Sequence, residues 1–441
     1  MNILFVSLGC DKNLVDSEVM LGLIRERGYK ITNDETEADI IIVNTCSFIN
    51  DAKEESINTI LEMAEYKKTG QCKALIATGC LVQRYANEIR EEIPEVDGLI
   101  GTSSYETITQ VIDEALAGHH SEQLANIDDL PSNEVKRVMT TGGFFSYLKI
   151  AEGCDKHCTY CIIPSLRGKY RSRPMEALVK EATYLAENGV KELILVAQET
   201  TLYGTDIYGE KKLPTLLKEL AKIDGIEWIR ILYCYPEEIT DELIQVMKEE
   251  EKVCNYLDMP IQHASNNVLK RMARRTSNEE LREKVAKLKQ EIPDICLRTT
   301  IITGFPGETK EDHEEVLDFI DEMSFDRLGV FTYSLEEGTP AAKLDGQVDE
   351  EVKVARQEEI MELQQEISYD NSIAMIGKTM KVLIEGRLPE EDVYIGRTYR
   401  DAPNVDGYCF VKSDDNLISG DFVTVKITEA KEYDLVGEVI E

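Results

Sequence analysis

Three of the eleven cysteines lie in one short run, Cys154-Asp-Lys-His-Cys158-Thr-Tyr-Cys161. Thiolates spaced CxxxCxxC can wrap one small iron–sulfur cluster, and three ligands leave the fourth iron of a cubane open. A structural zinc ion asks for a fourth Cys or His at matching spacing. His157 lies inside the run, so composition alone leaves zinc open. Position favours iron and sulfur. The run directly follows an apolar strand, FFSYLKIAEG, and strand–helix barrels place active sites at the carboxyl ends of their strands.

Cys10, Cys46 and Cys80 are far apart in the chain, so their spacing says nothing. What they share is a station. Each follows an apolar strand, in VSLGC, IVNTC and IATGC. In a parallel sheet all carboxyl ends lie on one edge. Three loops from that edge can bring three thiolates together, again leaving an iron open.

Cys72, Cys234, Cys254, Cys296 and Cys409 lack either pattern and read as small apolar fillers. His119 and His120 read as solvated. His263 ends a strand, where it could face the site or simply hold a structural hydrogen bond.

The elements that must position these residues fall into three textures. Residues 1–118 alternate short apolar runs with helical patterns, which predicts a parallel βαβ sheet domain. Residues 119–143 have no clear apolar period and read as a linker. Residues 144–370 repeat strand then helix six times, which predicts a TIM-like, partial (β/α)6 barrel closed by a long charged helix. Residues 371–441 change to short strands split by Gly, Pro, Asn and Asp, the pattern of a small antiparallel β-barrel.

The net charge is −35. Unguided nucleic-acid binding needs Lys and Arg to displace counterions, so this balance disfavours it and fits a basic protein partner. From Gly377 onward the chain holds eight Lys and Arg against fourteen Asp and Glu. An acidic barrel suits a basic protein better than RNA phosphates. No apolar run approaches the roughly 18–20 residues of a membrane span. The odd cysteine count and the lack of an export pattern predict a reducing, cytoplasmic setting.

The run Cys154–Cys161, with Tyr160 before its last cysteine, resembles the radical S-adenosylmethionine (SAM) superfamily. Together with Cys10, Cys46, Cys80 and the terminal barrel, it resembles the methylthiotransferase family, whose C-terminal module is called TRAM. Within that family the chain resembles the branch that modifies an aspartate of small-subunit ribosomal protein twelve. The strings that carry this are SLGCDKNLVDSE, CIIPSLRGKYRSRP, MPIQHASNNVLKRMARR, GFPGET, FTYSLEEGTPAA and GRTYRDAPNVDG. The tRNA-modifying branch usually has a Gln-Met-Asn type string where this chain has Asp11-Lys12-Asn13. Gln198-Glu199-Thr200 stands where Gln-Asp-Thr is expected, and the superfamily's Gly-Gly-Glu motif is not literally present.

The resemblance implies two 4Fe-4S clusters, one on Cys154, Cys158 and Cys161 and one on Cys10, Cys46 and Cys80. The first holds SAM and makes the radical that removes hydrogen from the β-carbon of the aspartate. The second carries the sulfur, methylated by another SAM. Tyr160, Arg298 and Gly304 are implied near SAM, the last two at the end of the fifth barrel strand. The resemblance also implies an electron-donor protein as a partner, and tRNA is not expected as one. The two cysteine edges are expected to face each other across one pocket. The acidic terminal barrel is expected to present the partner to it.

Overall fold

The computed structural model describes residues 1–131, 137–389 and 392–440. The first sheet is built from β1 (Asn2–Ser7), β2 (Lys30–Thr32), β3 (Ile40–Thr45), β4 (Ala74–Gly79), β5 (Gly98–Ile100) and β6 (Ser121–Gln123), all paired in parallel in the order β2-β1-β3-β4-β5-β6. The last strand falls in the stretch read as a linker. Four helices cover the faces: α1 (Asp11–Glu26), α2 (Asn50–Thr69), α3 (Cys80–Glu92) and α4 (Ile108–Leu116). The runs IIIV and ALIA are apolar without alternation because both faces are buried. Ile41, Val43, Leu75 and Ala77 pack under α2 and α3, while Ile40, Ile42, Ala74 and Ile76 pack under α1 and α4. The helices after β1 and β3 leave to opposite faces. That makes a topological switch point, and sheets of this kind bind ligands in the crevice at such a point.

The central sheet is also parallel: β7 (Phe145–Lys149), β10 (Glu192–Val196), β11 (Trp228–Ile231), β12 (Val253–Asp258), β13 (Cys296–Thr303) and β14 (Arg327–Thr332), paired in chain order. A short antiparallel ribbon, β8 (Ala151–Glu152) with β9 (Arg171–Ser172), follows β7. The helices are α5 (Ile163–Arg167), α6 (Met175–Glu187), α7 (Leu213–Ala221), α8 (Asp241–Glu249), α9 (Asn266–Arg271), α10 (Asn278–Glu291), α11 (Lys310–Met323) and α12 (Glu350–Ile373). The curved sheet alternates strictly. Leu193, Leu195, Ile229 and Leu297 face the outer helices. Ile194, Val196, Cys254, Tyr256 and Cys296 face the lumen, with Val15 of α1 in the same cluster.

Five strands close the terminal barrel: β15 (Thr379–Arg387), β16 (Val393–Thr398), β17 (Cys409–Lys412), β18 (Phe422–Ala430) and β19 (Leu435–Val439). One pair, β17 with β19, is parallel rather than antiparallel.

The position of this barrel differs from expectation. It caps the amino ends of the central strands, opposite the cysteines. Lys191 Nζ donates to the Gly420 carbonyl at 2.6 Å, and the rings of Trp228 and Phe422 meet edge-on at 4.8 Å. Arg397 bridges Glu192 at 2.7 Å, and Arg400 bridges Asp326 at 2.6 Å. Asp406 accepts from the Tyr256 hydroxyl at 2.7 Å, inside the lumen. Arg397, Arg400, Asp401 and Asp406 of the barrel are spent on this contact, so its loop Thr398–Asp406 serves as the floor of the lumen.

Candidate active site between two cysteine edges

Cys154, Cys158 and Cys161 lie on the loop after β8, at the carboxyl end of the central sheet. The loop is wound by its own backbone. Cys154 N–H donates to the Gly168 carbonyl at 3.1 Å, and Cys161 N–H to the Cys158 carbonyl at 3.0 Å. Thr159 is tied to the end of α9 by N–H and hydroxyl bonds to Met272 and Arg271. Gly153 has φ +74, and a Cβ there would strike the carbonyls of Gly168 and Lys169. Burial pushes the Cys154 and Cys161 thiols up to about 12. Each therefore sheds a proton when it binds a metal.

Cys10, Cys46 and Cys80 follow β1, β3 and β4, which are neighbours in the sheet. Asn13 ties their loops together. Its Nδ2 donates to the carbonyls of Leu8 at 3.1 Å and Thr45 at 2.9 Å, and its Oδ1 accepts from Arg167 and faces the Cys80 thiol at 3.9 Å. Gly9 has φ +87, and a Cβ there would come within 2.8 Å of Cys46 Cβ. Burial, with Cys80 and Cys10 close by, pushes the Cys46 thiol up to about 12. Burial also raises Cys80, against the opposing pull of Arg167.

The two edges meet. Cys80 packs on Ile162 and Leu166, directly behind Cys161. Arg167 reaches from α5 to Asn13 and to Asp16 at 2.8 Å, and binds Glu152 at 3.0 Å. The hydroxyl of Thr102 donates to the Leu166 carbonyl at 2.7 Å. Lys53 and Arg84 each lie 3.0 Å from Glu336, in the loop beyond β14.

Tyr160 stacks edge-on against Phe305 at 6.5 Å beside Cys158, and burial holds its phenol well above the usual value. Gly304 follows β13 with φ +70, and a Cβ there would overlap Lys353 of α12. Arg298 is not at the carboxyl end of its strand. It is the third residue of β13, held by Asp258 at 2.9 Å and Asp406 at 3.3 Å. The parallel strands are staggered, so the start of β13 lies level with the end of β12, where Arg298 pairs Asp258 in register. His263 accepts from Ser265 N–H at 3.0 Å and lies 3.6 Å from Glu308, a structural role. Cys72, Cys234, Cys254, Cys296 and Cys409 are all buried in the apolar cores.

Four site residues were not singled out by sequence reasoning. Glu199 is fully buried beyond β10, and burial pushes its carboxyl up to about 8. One of its oxygens takes Thr201 N–H at 2.9 Å, and the other has no partner among the described residues. Arg274 lies over the Tyr235 ring at 4.2 Å with its Nε unpartnered. Asn13 and Arg167 complete the set. The only signal for Glu199 was its place in the Gln-Glu-Thr string.

The donor set suits the groups the family implies. Six thiols offer soft ligands, five of them buried or half-buried and one, Cys10, exposed. Among the described residues no three His, Cys, Asp or Glu side chains converge as ligands of a single ion do. A cubane needs less convergence, because its thiolates bind separate irons. The unpartnered polar atoms of Gln198, Glu199, Arg274 and Thr303 give a zwitterion such as SAM both acceptors and donors.

Comparison with known proteins agrees. Residues 2–101 match the uncharacterized protein family UPF0004, residues 148–320 the radical SAM superfamily, and residues 376–440 the TRAM domain. The chain is 66% identical over 437 residues to "ribosomal protein uS12 methylthiotransferase RimO" of Lachnoclostridium phytofermentans, covering 99% of each chain. It is 54% identical to the protein of the same name from Clostridioides difficile, covering 98% of each. Among solved structures, the radical SAM methyltransferase TsrM from Kitasatospora setae has the same fold at a TM-score of 0.57 and 14% identity, over 77% of this chain and 76% of that one. The cobalamin-dependent radical enzyme OxsB matches at 0.53 and 13%, over 77% of this chain and 54% of that one. The chain is a radical SAM enzyme and belongs to the RimO methylthiotransferase family.

Proposed function

We infer that this chain attaches a methylthio group to the β-carbon of an aspartate in ribosomal protein uS12. The observation that supports the reading is the packing of Cys80 on Ile162 and Leu166, which brings the two cysteine edges into contact. When bound, a cluster on Cys154, Cys158 and Cys161 supplies the electron that cleaves SAM, and a second cluster on Cys10, Cys46 and Cys80 supplies the sulfur.

The protein's own residues bind and orient. Glu199 offers its unpartnered oxygen to the ammonium of SAM. Arg274, stacked on Tyr235 beside the cysteine loop, offers its free Nε as a donor. Asn13 and Arg167 fix the separation of the two edges. One substrate carbon can then meet both reacting groups at near-contact distance, which makes the steps efficient. The strongly acidic chain attracts a basic ribosomal protein. An electron-donor protein completes the turnover. Among the described residues no helix is long and apolar enough to cross a membrane.

The test is anaerobic reconstitution with iron, sulfide, SAM and reductant, offering uS12 and bulk tRNA separately. Mass spectrometry is expected to find one methylthio group on an aspartate of uS12 and none on tRNA. Methylthio on tRNA with none on uS12 would overturn the reading.

A further inference from the structure

The fold works against an ammonium at Lys12 on two counts. Lys12 lies in the first turn of α1, where the helix dipole disfavours positive charge. It is also buried, with its side chain only 8% exposed, and burying a charge is costly unless it is paired. Yet its Nζ is held, 2.9 Å from Asp11 Oδ1 and 3.2 Å above the centroid of the Tyr233 ring.

Tyr233 is held in an unusual way too. It follows β11 with φ +62, a left-handed conformation that is strained for a bulky residue. Its N–H donates to Asp258 at 3.0 Å, and its hydroxyl donates to Asp11 at 3.3 Å. Backbone strain at the carboxyl end of a central strand is thus used to lay a ring beneath an ammonium of the other domain. Asp11, Lys12 and Tyr233 form one unit beside Cys10, where the two domains meet.

We propose that Lys12, seated on the Tyr233 ring, anchors the side-chain carboxylate of the substrate aspartate and selects aspartate over a neutral side chain. The inference rests on the uS12 reading above. The carboxylate is untouched by the reaction and is one bond from the β-carbon. A cation that grips it fixes the β-carbon beside Cys10. A charge-assisted bond to a carboxylate is about twice as strong as one to a neutral amide, which is the basis of the selection.

The experiment is calorimetric titration of the full-length chain with uS12, and with uS12 whose modified aspartate is replaced by asparagine. The wild-type chain is expected to prefer the aspartate form by roughly tenfold or more. Lys12→Met is expected to bind both forms equally, and Lys12→Arg to keep part of the preference. A Lys12→Met chain that keeps the full preference would overturn the proposal. So would a wild-type chain that binds both forms alike, a result that needs no variant to fold. A wild-type chain that does not bind uS12 at all would overturn the uS12 reading itself, and this proposal with it.

Discussion

Cys154, Cys158 and Cys161 are placed by one loop, whereas Cys10, Cys46 and Cys80 are placed by a sheet. The first set needs only local structure: a left-handed glycine, a few backbone bonds and the end of α9. The second needs β1, β3 and β4 in register, and then Asn13 to tie the loops. A local set can survive damage elsewhere in the fold. A sheet-borne set fails when any tie between its loops fails.

The largest effect expected is a clean division of labour. Reconstituted wild-type chain should hold about eight iron atoms. Cys154→Ala, Cys158→Ala and Cys161→Ala together should remove about half the iron and all SAM cleavage. Cys10→Ala, Cys46→Ala and Cys80→Ala should remove the other half, keep SAM cleavage and abolish methylthiolation. Iron analysis and chromatography of the SAM products check both. SAM cleavage surviving in the first variant would break the comparison.

Arg167→Met should come next. Arg167 is buried against Asp16 and Glu152, with side chains 2% and 5% exposed. Removing the guanidinium leaves both carboxylates without it, a loss of about 3–5 kcal/mol for a broken buried pair. Urea unfolding measures it. A loss below about 1 kcal/mol would mean that Lys149, which also binds Asp16, suffices alone.

Asn13→Ala sharpens the contrast further. It should cost about 1–3 kcal/mol by leaving buried carbonyls unpaired. It should deplete iron from the sheet-borne set while SAM cleavage persists. Equal loss from both sets would show that the two edges assemble as one unit. The smallest effect should come from Cys72→Ala and Cys409→Ala. Iron content should be unchanged and stability lower by about 1 kcal/mol, as for loss of a small buried group.

Both cysteine sets were legible in the sequence, for different reasons. CxxxCxxC is a spacing, read directly. The other set was legible because parallel strands buried on both faces read as unbroken apolar runs, so their ends, and the cysteines just past them, can be marked. Arg298 was misplaced because strand stagger leaves no trace in one strand's own pattern. The terminal barrel was expected to present the partner to the pocket because its net charge was visible and the pairing of Arg397 and Arg400 with the central sheet was not. Arg397 with Glu192 and Arg167 with Asn13 join residues 205 and 154 positions apart. Lys12 was noted as part of a string, but its seat on Tyr233 depends on a strained residue more than two hundred positions away.

The central claim is that the two cysteine sets serve one carbon in one pocket. Its most direct test is a uS12 substrate deuterated at the aspartate β-carbon, given to the wild-type chain and to the Cys10, Cys46 and Cys80 triple variant. The deuterium is expected in 5′-deoxyadenosine from both, with methylthio product from the wild type alone. Deuterium that stays in the peptide, or is found only in solvent, would contradict the shared pocket.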